Sequence, residues 1–499
     1  MLLKMKTKIL TLAAAILMLS ACGEKWLDVP SKSSVLEADY YNSAERLYTG
    51  VVAAYDPLQW FDYFGQYNAL NMVSDIMADD VFCGGSSEGD QPVLVKTHYY
   101  TLTPNDVPNQ IWTVAYSGIN RANIVLAKAP GIEMDSALKN RYVAESMILK
   151  AFYWNVLWHF WGNIPYYDDN LTADESYSTE QMKADDVYAN TIKLIEDALA
   201  MKALPMKVNK GEEGRVTTAM AYMLYTEMVM YQNDESRYNT ALGYMKEIIG
   251  SGKYSLVSDY GSIFLESGEW NSESIFEINY ESEGGVRDWG WANGTGGTVY
   301  PVLIGIPGGT DVYQDGWGFE PVRVSTFDMF PEGDTRRDAT IFDYRDKIDW
   351  GTARWQATGL FLNKYIARKG GNHGYVASDN LNYGNNQRVY RYSETLLNAA
   401  ELAVRLGQDG QSYLDEVRTR AGLSSVSCTL ENVLNERHLE FVGEGKRYWD
   451  LVRTGNAATV LTAANHEYRS NNWTESKKYW PIPQSEIDRS ITPLTQNPY

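Results

Sequence analysis

From Ala137 to Trp161 the apolar positions Leu138, Tyr142, Leu149, Phe152, Val156 and Phe160 step by threes and fours, and Gly162 and Pro165 then stop the run. A stripe of that length commits this part of the chain to a long helix with one buried face, which must lie against other elements of similar length. Comparable patterns occupy Asn109 to Ala127, Thr217 to Tyr231 followed by Asn239 to Ile249, and Arg391 to Leu406 followed by Gln411 to Ala421. Several of these form helix pairs. The pair after Gly214 has roughly the length of a tetratricopeptide unit, with Ala219, Tyr222 and Ala241 where small and aromatic residues interlock. The spacing between pairs is irregular, as in diverged repeats interrupted by insertions.

Residues 255–385 read differently, with turn-forming stretches such as Gly294-Thr295-Gly296-Gly297 and Gly305-Ile306-Pro307-Gly308-Gly309 between short apolar runs. Loops and short strands are expected there. Trp270, Trp289, Trp291, Trp317, Trp350, Trp355, Tyr300 and Tyr313 fall in this region. A second loop-like region, Pro57 to Asn109, holds Trp60, Phe61, Tyr63 and Tyr67 and then Asp75, Asp79 and Asp80. Aromatics in irregular segments have less core to fill than aromatics on helical stripes, so they are candidate ligand platforms, with acids alongside to bind hydroxyls. Trp154, Trp158 and Trp161 lie on or beside the periodic helix, where core packing is the default.

The N-terminus has the form of an export signal. Lys4, Lys6 and Lys8 precede the apolar run Ile9–Leu19, which is too short to span a bilayer. Leu19-Ser20-Ala21-Cys22 resembles the bacterial lipoprotein box, in which residues 1–21 are removed and Cys22 becomes the acylated first residue. No later stretch approaches the roughly 18 consecutive apolar residues of a membrane helix, so residues 22–499 are expected to form one water-soluble body on a lipid tether. With the leader removed, 41 basic residues face 64 acidic ones, a net charge of −23. Such a surface repels phosphate backbones and excludes nucleic acid as a partner class. Cys83 and Cys428, the only other cysteines, form neither a framework nor a metal signature, and their pairing is left open.

Signals for catalysis are scarce. Gly85-Ser86-Ser87-Glu88-Gly89 formally fits G-x-S-x-G, but that motif needs a strand before it and a helix after it, and Cys83-Gly84 and Asp90-Gln91-Pro92 flank it here. None of the five histidines pairs with another at metal-ligand spacing. The acid pairs Asp79/Asp80, Asp168/Asp169 and Asp185/Asp186 are adjacent in sequence, where side chains usually diverge. No enzyme activity, cofactor or metal is expected.

Toward the C-terminus, Glu436-Arg437-His438-Leu439-Glu440-Phe441 is followed by Gly443-Glu444-Gly445-Lys446-Arg447-Tyr448-Trp449-Asp450-Leu451 and Arg453. With Asn120-Arg121-Ala122-Asn123, Gly162-Asn163-Ile164-Pro165, Gly214-Arg215-Val216-Thr217, Arg420-Ala421-Gly422-Leu423, Trp480-Pro481-Ile482-Pro483 and Gln496-Asn497-Pro498, these resemble, in order, the SusD/RagB group of Bacteroidetes outer-membrane lipoproteins. The resemblance implies a mainly α-helical SusD-like fold of four diverged tetratricopeptide-like pairs with an irregular ligand-binding insert at about residues 255–385. It implies a cell-surface lipoprotein of the outer membrane that captures an oligosaccharide for a SusC-like TonB-dependent transporter. A neutral glycan is the expected ligand; a peptide ligand of the same family and, further off, a helical glycoside hydrolase are the alternatives. Asp75 matches a position where the family often carries a ligand-contacting acid. The other expected ligand contacts, Trp60, Tyr63, Asp79, Asp80, Trp289, Trp291, Tyr313, Trp317 and Trp355, rest on their chemistry alone. Glu436, Glu440, Arg447, Asp450 and Arg453 recur at helical spacings, as in an ion network that locks helices together, and Glu145 on an apolar helix face requires a buried partner such as an arginine.

Overall fold

The computed structural model describes residues 40–283, 287–289, 296–369 and 379–499; Cys22 and Trp291 lie outside them. The helices that carry the architecture are α1 (Ala44–Tyr55), α2 (Asn109–Lys128), α3 (Ser136–Trp161), α4 (Ala184–Ala200), α5 (Thr218–Gln232), α6 (Tyr238–Gly250), α7 (Tyr392–Arg405), α8 (Gln411–Arg420), α9 (Leu430–Phe441) and α10 (Arg447–Arg453). Sequence neighbours pack on one another, α2 on α3, α3 on α4, α5 on α6 and α7 on α8, and α6 on α7 joins the two halves. The starts are set locally. Asp135 and Thr217 accept the N–H groups of Leu138 and Met220, satisfying donors that the first turns of α3 and α5 leave orphaned. Gly162 ends α3 at φ +65, where a side chain would strike the ring of Tyr479.

The periodicity of α3 understates its burial. Every residue from Ile148 to Trp161 is buried, not one face alone, because Trp154, Trp158 and Trp161 fill the side that the apolar stripe leaves open. A helix enclosed all round carries no amphipathic signature. Trp154 stacks on Tyr166 at 4.4 Å and Trp158 on Tyr188 at 5.5 Å.

Between α6 and α7 the longest described helix has five residues. Two short antiparallel ladders organise this stretch: β1 (Ser274–Ile278) with β4 (Gln387–Arg391), and β2 (Ile341–Asp343) with β3 (Leu360–Leu362). A buried ion network welds it to the helices. Arg391, at the end of β4, reaches Glu440 of α9 at 3.0 Å and Glu444 at 2.7 Å. Arg420 of α8 pairs with Glu273 at 3.1 Å, and Arg336 binds Asp334 and Glu436 at 2.7 Å each and Glu440 at 3.0 Å. Burial alone would push the Glu440 carboxyl up; Arg420, Arg391 and Arg336 together hold it well below the usual range. A second cluster joins Asp450 to Arg437 at 3.1 Å and to Arg453 at 2.7 Å. Glu145 is fully buried and takes Arg215 at 2.6 Å and Arg141 at 3.0 Å. The charged residues of the C-terminal motif are therefore scaffold.

Candidate functional site

Asp62 and Arg287 hold the site together. Asp62 is buried and accepts the Thr298 hydroxyl at 2.8 Å and the Val299 N–H at 2.7 Å, with the Arg287 guanidinium at 3.4 Å. Burial pushes its carboxyl up against the pull of that guanidinium. Arg287 is fully buried and donates to the carbonyls of Gly297, at 2.6 Å, and Gln59. A buried ion pair is kept only where its remaining donors and acceptors are satisfied, and here the satisfied groups are the backbones of two segments distant in sequence. The clamp thus fixes residues 59–62 against Arg287 and residues 297–299, and Trp289 emerges two residues beyond Arg287 with 44% of its surface exposed.

A tight turn brings Tyr63 and Tyr67 into register across Gly65, which sits at φ +83. Trp317 arrives on an extended run whose N–H groups at Gly316, Trp317 and Phe319 donate to Ile306, Val302 and Leu303. That run lies so close to its partner that a side chain on Gly316 would meet the Cα of Gly305 at 2.2 Å.

The four rings close a circuit: Tyr63 to Tyr67 at 5.6 Å, Tyr67 to Trp317 at 5.8 Å, Trp317 to Trp289 at 6.1 Å and Trp289 to Tyr63 at 5.8 Å. The two indoles lie 25° from parallel, while Trp289 meets Tyr63 edge-on at 83°. Burial pushes the Tyr67 hydroxyl up to about 12, with Tyr63 and Asp90 adding to the effect, so it stays a neutral hydrogen-bond group at physiological pH. Residues 84–90 and 354–356 border the platform: Gly85 accepts the Trp355 N–H at 3.1 Å, Gln356 accepts the Gly84 N–H at 2.9 Å, and the Arg354 side chain lies against Gly318. Flat apolar faces with phenol and amide groups at the edge match a ligand that has C–H faces and neutral hydroxyls.

The profile described as SusD family matches residues 205–499. The chain belongs to the SusD family. A second SusD-like profile, described as starch-binding associating with outer membrane, matches residues 25–227. Among solved structures, surface glycan-binding protein A from Bacteroides thetaiotaomicron is 47% identical, with a TM-score of 0.87 over 92% of this chain and 100% of that one. The same protein in complex with laminarihexaose gives 46% and 0.86 over the same shares. A laminarin-binding SusD-like protein is 30% identical with a TM-score of 0.82, covering 92% of this chain and 100% of that one. SusD-like protein P38 of Formosa agariphila is 26% identical over 93% of both chains. The solved structures among them are named for binding.

Of the residues expected to contact ligand, the platform gathers Trp289 and Trp317, with Tyr63 packed against Trp289 at 6% exposure and Trp355 half-buried in the bordering loop. Others go elsewhere. Trp60 is 5% exposed, stacked beneath Phe64 at 5.3 Å with the Arg121 guanidinium over its ring at 4.6 Å, so it supports the platform from inside. Tyr313 packs on Phe342 at 4.8 Å and donates its hydroxyl to Asn363 at 2.7 Å, in a separate aromatic group.

The three acids are bonded into the scaffold and are not gathered at the platform. Asp75 is 1% exposed and accepts the Gly445 N–H through both oxygens, at 3.0 and 3.1 Å; burial, then Glu320 and Asp80, push its carboxyl well up. Asp79 binds Arg447 in a fork at 2.8 and 3.1 Å, which outweighs burial and lowers it to about 2. Asp80 is buried with His438 Nε2 at 2.7 Å. In each case a SusD-family motif residue near the C-terminus supplies the partner, which no local reading of residues 75–80 reveals. Tyr67, one of the loop aromatics but not among the expected contacts, joins the platform; its signal is its spacing four residues after Tyr63 across a glycine. Cys83 and Cys428 are both free thiols.

Proposed function

We propose that this protein captures neutral glucan oligosaccharides of the laminarin type at the Tyr63–Tyr67–Trp289–Trp317 platform and passes them, chemically unchanged, to a SusC-like TonB-dependent transporter, while a lipid on Cys22 holds it to the outer membrane. One observation carries the reading: an aromatic circuit built for sugar rings stands on a chain 46% identical to a surface glycan-binding protein solved with laminarihexaose. The acidic surface favours a neutral ligand over an anionic one.

Calorimetric titration of laminarihexaose tests the reading, with oligopeptides as the contrast. Trp317→Ala, first shown to be folded, should weaken laminarihexaose binding by tens of fold, since a central aromatic anchor is worth about 2 kcal/mol or more. The affinity should hardly change with added salt, because rings and neutral hydroxyls are not screened. No product should be released from laminarin on prolonged incubation. Peptide binding without glucan binding would refute the proposal.

A further inference from the structure

A cleft of about 540 Å³, which Gln59 and Gly296 line and the four platform residues do not, has Trp270 in its lining. Trp270 is held at φ +52, in the left-handed region that a bulky residue enters only when its surroundings impose it and where strain gathers at functional positions. Both of its N–H groups are committed: the backbone donates to Glu277 Oε1 at 3.0 Å and the indole to Asn279 Oδ1 at 3.1 Å. The ring is pinned and half-buried. Across the cleft, α1 presents Tyr48 and Val52, which are 42% and 49% exposed. Gln59 and Asn279 supply amides to the lining, and Glu269, whose carboxyl burial pushes up to about 7, supplies a group that both donates and accepts near neutral pH. The lining thus combines a fixed indole and exposed apolar surface, as the platform does, with amides and with carboxylates, Glu213 and Glu281 among them, that can accept hydroxyls.

The two places share a frame. Gln59 and Gly296 line the cleft and are bonded to each other at 3.2 Å, while Tyr63 and Trp289 stand on the same two segments beyond the Asp62–Arg287 clamp.

Resting on the glucan-binding reading above, we propose that this cleft is a second binding site for the same neutral polysaccharide, with Trp270 as its stacking surface. The protein then grips a long glucan at two points. The second contact is intramolecular once the first is made, so it raises affinity for the polymer and leaves that for a short oligosaccharide at the platform unchanged.

Trp270→Gly isolates the ring, because glycine adopts φ +52 without strain. Tyr48→Ala removes the facing ring from an exposed helical position that alanine suits. Each variant is titrated with laminarihexaose and with long laminarin. The expected result is hexasaccharide affinity within about twofold of wild type and polymer affinity lower by about tenfold, at unchanged melting temperature. In a Trp317→Ala background, the residual polymer binding should disappear when Trp270→Gly is added. Unchanged polymer affinity in both variants overturns the second site, as does an equal loss for both ligands. Wild-type protein that binds neither probe refutes the glucan reading itself, a result distinct from these.

Discussion

At the scale of single residues, burial decides which polar groups serve the ligand and which serve the fold. Glu320 shows this most sharply. It directly follows the run that carries Trp317, it is fully buried, Oε2 accepts the Tyr300 hydroxyl at 2.7 Å and Oε1 has no partner. Burial pushes its carboxyl up to about 8 against the hydrogen bond from Tyr300. A carboxyl whose folded pKa lies above its unfolded value contributes stability that is complete below the ordinary glutamate range and is lost as pH rises through the folded value. Glu320→Gln keeps an acceptor for Tyr300 and cannot ionise. Its melting temperature, measured against wild type from about pH 6 to about pH 9, should gain progressively on wild type toward the alkaline end. A constant difference across the series would mean that Glu320 does not titrate there.

At the scale of elements, helices from opposite ends of the chain and the loop-rich stretch between them are joined by charges as well as by apolar packing. Arg391 faces Glu273, Glu440 and Glu444 with 1% of its side chain exposed. Removing one partner from such a cluster leaves the others buried and uncompensated, at a cost of about 3 to 5 kcal/mol. Arg391→Ala should therefore lower the stability to chemical denaturation by about that amount. The control is Arg489→Ala, whose guanidinium is 60% exposed and pairs with Glu486; exposed pairs of this kind are worth about 0 to 1 kcal/mol. Equal effects in the two variants would show that the network contributes nothing beyond surface charge. The same cluster explains why its members could be assigned to the scaffold from sequence. Glu436 and Glu440 share a helical face, and charges repeating on one face require partners. Which arginines would supply them was not legible, because Arg336, Arg391 and Arg420 come from elements whose meeting depends on the whole fold.

At the scale of the molecule, what was legible in the sequence follows the range of the interactions. Helices are written in local periodicity, so the stripe read over Ala137–Trp161 became Ser136–Trp161 and that over Asn109–Ala127 became Asn109–Lys128. The platform is written in contacts between distant segments. Nothing near Trp60 distinguishes it from Trp317; Trp60 is interior because Arg121 covers it, and Trp289 is exposed because Arg287 beside it is drawn inward to Asp62. The proposed membrane attachment is the opposite case, since its signal is four consecutive residues, Leu19 to Cys22. No helix among the described residues is long and apolar enough to cross a membrane. In the proposed arrangement acyl chains on Cys22 hold the protein, and more than one chain is needed for stable attachment. Cys22→Ala should move the protein from the membrane fraction to the soluble one while laminarihexaose affinity stays within about twofold of wild type, because the proposed site shares no residue with the tether. Fractionation followed by titration of the released protein checks both halves. Membrane retention of the variant would require an anchor elsewhere, and a lost affinity would tie the leader to the site.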